Sequence, residues 1–593
     1  MNARKSQDLF PCASNAPLRW LLRSAAIGLG VLGAAPAGLA ATTVWVGSSS
    51  GGVFNDNANW SSQAPGNTSP ADLGIFNSST NVDGTITFTA NATHYRTFVQ
   101  NTAGTITFDV GNFKWTMSSF FLTGTGAGEK NTIRHIGGQI ESQIILLGNS
   151  PDSSNNSLEL TGENTLWHTT YTSGAIDVGS GGSDNSTLLV HNGADMTSTG
   201  QLLIGLAGSS HGKATVTGDG STITLAGNIG VGHTGSTTKN AVDNRLEVLD
   251  GGSVTASHIL MAITDAATDN TILVSAATLH LTGNGTTSDI GRSGVNNTLR
   301  VENNGAVTGG NYFILGRNET STGNQIVLDQ GSLTGTGIEI RRGSASITQS
   351  QVDLTQFFNS EDEVYEGGGI VATNGAASTV TFNSGTIAAV IADINNGSAF
   401  TVGDGGADSA TYRMKLDANG ANGIHNFANG LFLNSNGVLE GSGDIVGNVS
   451  GASGAAVSVG LSAGVIHVEG DWDNTGISIL LEISDLLASL DAGQGYDLLD
   501  ITGAFTHGGS VTIDVTELVA PSTQQIIKLI GWGSATGDSA STAISFIGGP
   551  AMTYSIESDG LYVTAVPEPA SVGLLAGLMA LLPWRRRPAQ QLA

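Results

Sequence analysis

The chain has 593 residues, of which 12% are charged and 39% apolar, with 84 glycines, 12 prolines, one cysteine and a formal net charge of −27. That apolar content supplies a core and excludes general disorder, while the acidity excludes nucleic acid and anionic lipid as natural partners of the body. Many glycines with few charges and prolines point to short strands joined by tight turns.

Residues 1–40 read as a secretory signal. Arg19-Trp20-Leu21-Leu22-Arg23 leads into the apolar run Ala25–Ala35, and the small-residue site Gly38-Leu39-Ala40 follows. Basic region, apolar core and small residues are the three parts of such a signal, so cleavage is expected after Ala40. The run is shorter than the roughly 20 residues of a spanning helix, which argues against an N-terminal anchor. Cys12 stands before the apolar core, not after it, so no lipidation is expected. With Cys12 removed, neither disulfides nor thiolate metal sites remain. Seven of the 22 basic residues lie in the first 23 and last nine positions, against one acid, Asp8. The body between them is therefore the more acidic part, a composition suited to solubility outside the cell.

Residues 41–100 are expected to form a strand-rich N-terminal cap. Val44-Trp45-Val46-Gly47, Asn59-Trp60 and Ile75-Phe76 supply large rings that can cover the open end of a core and block edge pairing. The sharper reading of Trp45 and Trp60 is glycan contact through flat aromatic faces.

Residues 101–350 carry a repeat, in which Asn precedes a short alternating strand. Asn156, Asn185, Asn244, Asn270, Asn297 and Asn324 stand before strands ending at Leu160, Val190, Val248, Val274, Val301 and Leu328. Ala214-Thr215-Val216 is a copy without the Asn. These ends recur at intervals of about 26 to 32 residues. A second phrase also recurs, as in Ile176-Asp177-Val178-Gly179, Leu203-Ile204-Gly205, Ile229-Gly230-Val231-Gly232, Asp289-Ile290-Gly291 and Phe313-Ile314-Leu315-Gly316. Between them lie turns such as Asn192-Gly193, Asp250-Gly251 and Asn304-Gly305. Alternation sends every second side chain inward, and stacked copies bury the row that one copy cannot. Asn and Gly suit left-handed corners, and stacked asparagines can form ladders. The expected fold is all-β: an elongated parallel β-helix, or β-solenoid, with terminal caps. An antiparallel sandwich array is the competing architecture. At about 27 residues a turn, some 500 residues would make about 18 turns and a length approaching 90 Å.

Residues 351–375 break the rhythm as an acidic loop or insertion. Glu361, Asp362, Glu363 and Glu366 offer hard oxygens to Ca²⁺, without EF-hand spacing. A solvated loop is the simpler reading. Strands resume over 376–565 as C-terminal coils and cap, among them Gly430–Leu433, Val438–Gly443, Val465–Glu469, Leu480–Ile483, Tyr496–Gly503 and Val511–Val515, with a short helix expected over Ser484–Leu490. Gly403-Asp404-Gly405-Gly406-Ala407-Asp408 is similar to part of a Ca²⁺-binding glycine-aspartate repeat, but it occurs once.

The last segment, 566–593, begins Val566-Pro567-Glu568-Pro569, continues through the apolar Val572–Trp584 and ends on Arg585-Arg586-Arg587. In physical terms this is a breaker, a membrane-seeking helix and a basic stop; the helix is short, and Pro583 sits in its far end. The three parts in this order resemble the PEP-CTERM sorting signal. That resemblance implies processing by an exosortase, transient inner-membrane anchoring, and export by a Gram-negative bacterium that makes exopolysaccharide. The repeats resemble the β-solenoids of PEP-CTERM proteins and of autotransporter passenger regions. An autotransporter's terminal membrane barrel has no room after Val566, so that route is not expected.

Catalytic and cofactor signatures are missing from the sequence: no His-Glu-x-x-His helix, nucleophile elbow or phosphate loop occurs. His211 and His233 follow strand-end glycines about one coil apart, as polar turns also would. No catalytic, cofactor-binding or metal residues are assigned. The expected function is that of a structural or adhesive surface or matrix protein, with exosortase and extracellular polysaccharide as partners. The alternatives are a carbohydrate-active β-helix enzyme, with carboxylates on adjacent coils, and an inert spacer. A scarcity of Arg and Lys in the repeats argues against a lyase acting on acidic sugars.

Overall fold

In a computed structural model the described residues are 41–566, except 67–71, 127, 173–174, 234–239, 355–358, 361–362, 365–367, 487–491, 520 and 522. The chain divides into two compact units after Thr381. Both are built almost wholly of strands, paired in parallel from one coil to the next.

In the first unit each coil contributes three strands to three stacks. One coil is Thr187–His191, Asp195–Ser198 and Gln201–Ile204; the next is Lys213–Thr217, Thr222–Leu225 and Ile229–Val231. In the first stack the register pairs Leu160 with Val190, Val190 with Val216, Val216 with Val248, Val248 with Val274, Val274 with Val301 and Val301 with Leu328. These are the positions expected from the repeat, and all are buried. Parallel pairing overturns the antiparallel sandwich. A β-branched row at one inward position packs well on the pleat, so every coil buries what its neighbour exposes.

Corners turn on left-handed residues, including Asn192 and Gly193 at φ 55° and 78°. Gly205, at φ 76°, has a second reason to be glycine. A Cβ there would lie 2.3 Å from the Asn244 carboxamide of the next coil. The third stack has a rung the repeat pattern missed, Ile259–Met261, whose corner is Ala262 at φ 51° in place of glycine.

The asparagine ladder runs beside these corners. Asn244 Nδ2 donates to Asn270 Oδ1 at 3.0 Å, Asn270 Nδ2 to Asn297 Oδ1 at 2.9 Å, and Asn297 Nδ2 to Asn324 Oδ1 at 3.0 Å. Each of these three oxygens also accepts the backbone N–H of the preceding asparagine. Asn131 joins Asn156 in the same way. Asn185 does not belong to the ladder. It is an exposed left-handed turn residue at φ 54°, and Ser186, fully buried, precedes the strand in its place.

Strands 350–354 and 369–372 flank the acidic segment, within which Asn359–Ser360 pairs antiparallel with Glu363–Val364. In the second unit, parallel rungs run through Ala410–Met414, Gly437–Gly441, Ala455–Val459, Ile477–Glu482, Ser510–Asp514 and Ala543–Ile547. The pairing then changes sense: Gln525–Thr536 pairs antiparallel with Gly560–Ala565, which pairs antiparallel with Met552–Glu557. Of the expected helix, Ser484–Leu486 is irregular and 487–490 lies outside the described residues. Among the described residues no helix is long and apolar enough to cross a membrane.

Candidate functional site

The expected signal site Ala40 and the sorting residues Pro567, Glu568, Pro569, Arg585, Arg586 and Arg587 lie outside the described residues. Trp45 and Trp60 are 0% and 3% exposed. They meet edge to face at 5.2 Å, and Phe54 and Phe76 close around Trp60. Trp60 Nε1 donates to the Phe54 carbonyl at 2.8 Å. Neither ring offers a face to solvent, and the arrangement is that of a packed aromatic plug. Of the Ca²⁺ candidates, Glu361, Asp362 and Glu366 lie outside the described residues. Asp404 accepts from the Gly406 N–H and from Asn436 Nδ2, so the turn is tied by hydrogen bonds. Among the described residues no three His, Cys, Asp or Glu side chains converge to hold a metal ion. His211 pairs with Asp184 at 2.6 Å, whereas His233 is half-buried and desolvation lowers its pKa to about 4.

The outward face of the second stack carries rows that spacing alone did not reveal. Register aligns Thr197, Thr224, Thr255, His280, Thr308 and Thr334 on successive coils. Two residues earlier on the same strands stand Asp195, Thr222, Ser253, Thr278, Ala306 and Ser332. All twelve are exposed or half-buried. The rows follow the coil spacing of roughly 4.8 Å, and along each strand the two are about 6.6 Å apart. Threonine is stiff at χ1, so its hydroxyl is presented with little entropy left to lose. His280 Nδ1 is 2.9 Å from the Thr308 hydroxyl, which ties one coil to the next across this face.

No protein-family model matches the chain, and no curated protein matches it. Fold alone does not assign an activity, so the reading rests on side chains.

The outward face of the third stack holds charge. Asp289, 1% exposed, receives Arg317 at 2.7 Å and lies 3.8 Å from Arg292. Burial raises the Asp289 pKa, while Arg317, Arg292 and Arg341 oppose the rise. Arg341 grips Glu339 with two bonds of 2.7 and 3.1 Å. Asp289 and Glu339 are two coils apart, with Ile314 between them in register. Both carboxyl groups are already engaged by guanidinium, which suits a charge network and not a free acid and base. Asp177, further down the same row, is buried, and burial raises its pKa to about 7.

Proposed function

We propose that this is an exported structural or adhesive protein of the cell surface or extracellular matrix, a β-solenoid with packed ends that holds exopolysaccharide. The double row on the second stack, nine of whose twelve side chains bear a hydroxyl, carries this reading. Each hydroxyl is a weak donor and acceptor for a sugar, and a repeated, pre-ordered array of them binds by avidity. The aromatic plug around Trp45 and the antiparallel strands near residue 560 support end caps, which solenoids need for solubility. The acidic body suits an extracellular setting.

The exported chain is expected to be retained on the producing cell's own exopolysaccharide and to leave the sugar intact. Shortened sugar would replace this reading with a carbohydrate-active enzyme, and absence of retention would leave an inert spacer.

Sorting is proposed to run through the PEP-CTERM-like tail and an exosortase, in a Gram-negative envelope. Changing Pro567, Glu568 and Pro569 to alanine is expected to strand precursor in the inner membrane, as seen by fractionation. Unchanged release or display would remove the sorting claim.

A further inference from the structure

The outward face of the third stack changes character in the first coils. Register pairs Leu73 with Arg96 and Phe120 with Ile144, and the pairing of Thr97 with Phe121 sets Arg96 beside Phe120. Two residues further along the same strands, Ile75, Phe98, Leu122 and Leu146 form a second row. Successive members of a row are one coil apart, roughly 4.8 Å. Of these eight outward side chains, Arg96 alone is polar. The hydroxyls of the second stack thus give way to rings and aliphatic groups around one charge.

That charge has no counter-ion in the protein. The Arg96 guanidinium lies 4.6 Å from the centre of the Tyr95 ring, 5.2 Å from that of Phe120 and 5.9 Å from that of Phe98. Ring faces attract a cation, but they accept no N–H bond of ordinary strength. Nη2 donates to the Tyr95 hydroxyl at 3.0 Å, and Nε is buried without a partner. Nη1 has no partner among the described residues and, unlike Nε, is not closed off from solvent. Arginines elsewhere meet carboxylates, as Arg134 meets Glu159 at 2.8 Å and Arg317 meets Asp289 at 2.7 Å. Among the described residues Arg96 meets none, in a chain whose net charge is −27. Asp72, whose carbonyl accepts the Tyr95 N–H, turns its carboxylate to the N–H groups of Ala41 and Gly66.

We propose that Arg96, held against Tyr95, Phe98 and Phe120, is a binding site for a uronate residue of an acidic polysaccharide. This rests on the adhesive reading above and names the glycan class. A planar guanidinium matches a carboxylate with two parallel bonds. Nη1 and the second N–H of Nη2 supply such a fork, since the Tyr95 hydroxyl occupies only one of the two Nη2 donors. The rings and that hydroxyl hold the guanidinium in place, so little side-chain freedom is left to lose on binding. A uronate joins its carboxylate to a sugar ring with apolar C–H faces. The half-buried Phe98, Phe120 and Leu146 offer such a ring apolar ground beside the charge, which a small inorganic anion would not use.

The test is affinity electrophoresis of the full chain through gels containing polygalacturonate or, in a second arm, neutral dextran. At about 0.15 M salt the screening length is about 8 Å, which keeps the acidic body from masking a local site. Retardation is expected with polygalacturonate and not with dextran. Arg96→Gln should lose about tenfold or more in affinity, with circular dichroism confirming that it folds. Arg96→Lys keeps the charge without the fork and should fall between that variant and the parent. Arg134→Gln removes one charge from the first stack, where Arg134 pairs with Glu159, and should bind as the parent does. Equal binding by Arg96→Gln, or an equal loss in Arg134→Gln, would overturn Arg96 as the site. Retardation by dextran as strong as by polygalacturonate would also overturn it while leaving the adhesive reading in place. Retardation by neither would do the same if the native exopolysaccharide still retains the chain, and would remove both readings if it does not.

Discussion

Replacing Asn270 by leucine is expected to cost about 3 kcal/mol or more, whereas Asn185→Ala costs less than about 1 kcal/mol, both read from denaturant melts. The two asparagines look alike in sequence, each just before an alternating strand. Their surroundings differ. The Asn270 oxygen accepts both the N–H and the Nδ2 of Asn244, and its own Nδ2 donates to Asn297 and to the Ala241 carbonyl. Leucine removes the acceptor, which strips the buried Asn244 N–H of its partner, leaves Asn244 Nδ2 with the Ser209 carbonyl alone and takes the Asn270 amide donor from Asn297, and an unsatisfied buried donor costs roughly 1–3 kcal/mol. The added branched side chain also meets Gly232, whose Cα region approaches the Asn270 carboxamide so closely that even a Cβ there would lie 2.4 Å from it. The Asn185 carboxamide bonds only to its neighbour Asp184, at 3.5 Å, on the surface, and the backbone bond from its N–H to the Ser210 carbonyl survives the change to alanine. Equal losses at the two sites would mean that the ladder contributes nothing special.

The contrast also shows what a sequence can carry. The inward rows from Leu160 to Leu328 were legible because burial demands Leu or Val at a fixed phase, and a one-residue slip would expose the whole row. The asparagines were only partly legible, because one residue type serves two purposes. A carboxamide can ladder, as at Asn244, or the backbone can turn left-handed, as at Asn185, and the letter does not say which. Asn131 belongs to the ladder but lies before the clear part of the repeat. The rung at Ile259–Met261 escaped because its corner is Ala262, not glycine. Trp45 and Trp60 were legible as a plug from their size, and their burial removes the ring faces that a sugar would need. The outward hydroxyl rows of the second stack were hidden for a different reason: their members are ordinary outward strand residues until strand register stacks the coils.

His135→Leu is expected to flatten the acid side of the stability profile, with the variant gaining about 3 kcal/mol on the parent between pH 7 and pH 4. His135 occupies an inward position in register with Phe108 and Leu160, where the other occupants are apolar. It is fully buried, it lies edge-on to Trp167 at 5.8 Å, and one ring nitrogen bonds the Gly137 carbonyl at 2.8 Å. Nδ1 has no partner. Burial lowers its pKa to about 3, against the modest opposing pull of the Gly137 carbonyl. The folded imidazole therefore refuses a proton that the unfolded chain takes up below about pH 6.5. Its contribution is fully present above that pH and is lost progressively as pH falls toward 3. Burial likewise holds His94 and His425 near 3, so the parent carries several such groups. Asp177 acts in the opposite sense. Its folded carboxyl keeps a proton to about pH 7, so its contribution is present below about 3.8 and is lost as pH rises through 7. Burial also lowers His233 to about 4 and raises the Asp497 carboxyl to about 7, and four such imidazoles against two such carboxyls make the net slope between pH 4 and 6.5 favour the higher pH. Leucine at 135 removes one titrating group and supplies the apolar side chain that the row already uses, so the curves of variant and parent should converge near neutrality and separate in acid. Curves that stay parallel from pH 7 to pH 4 would show that His135 is protonated in the folded protein and that its burial is not what opposes acid.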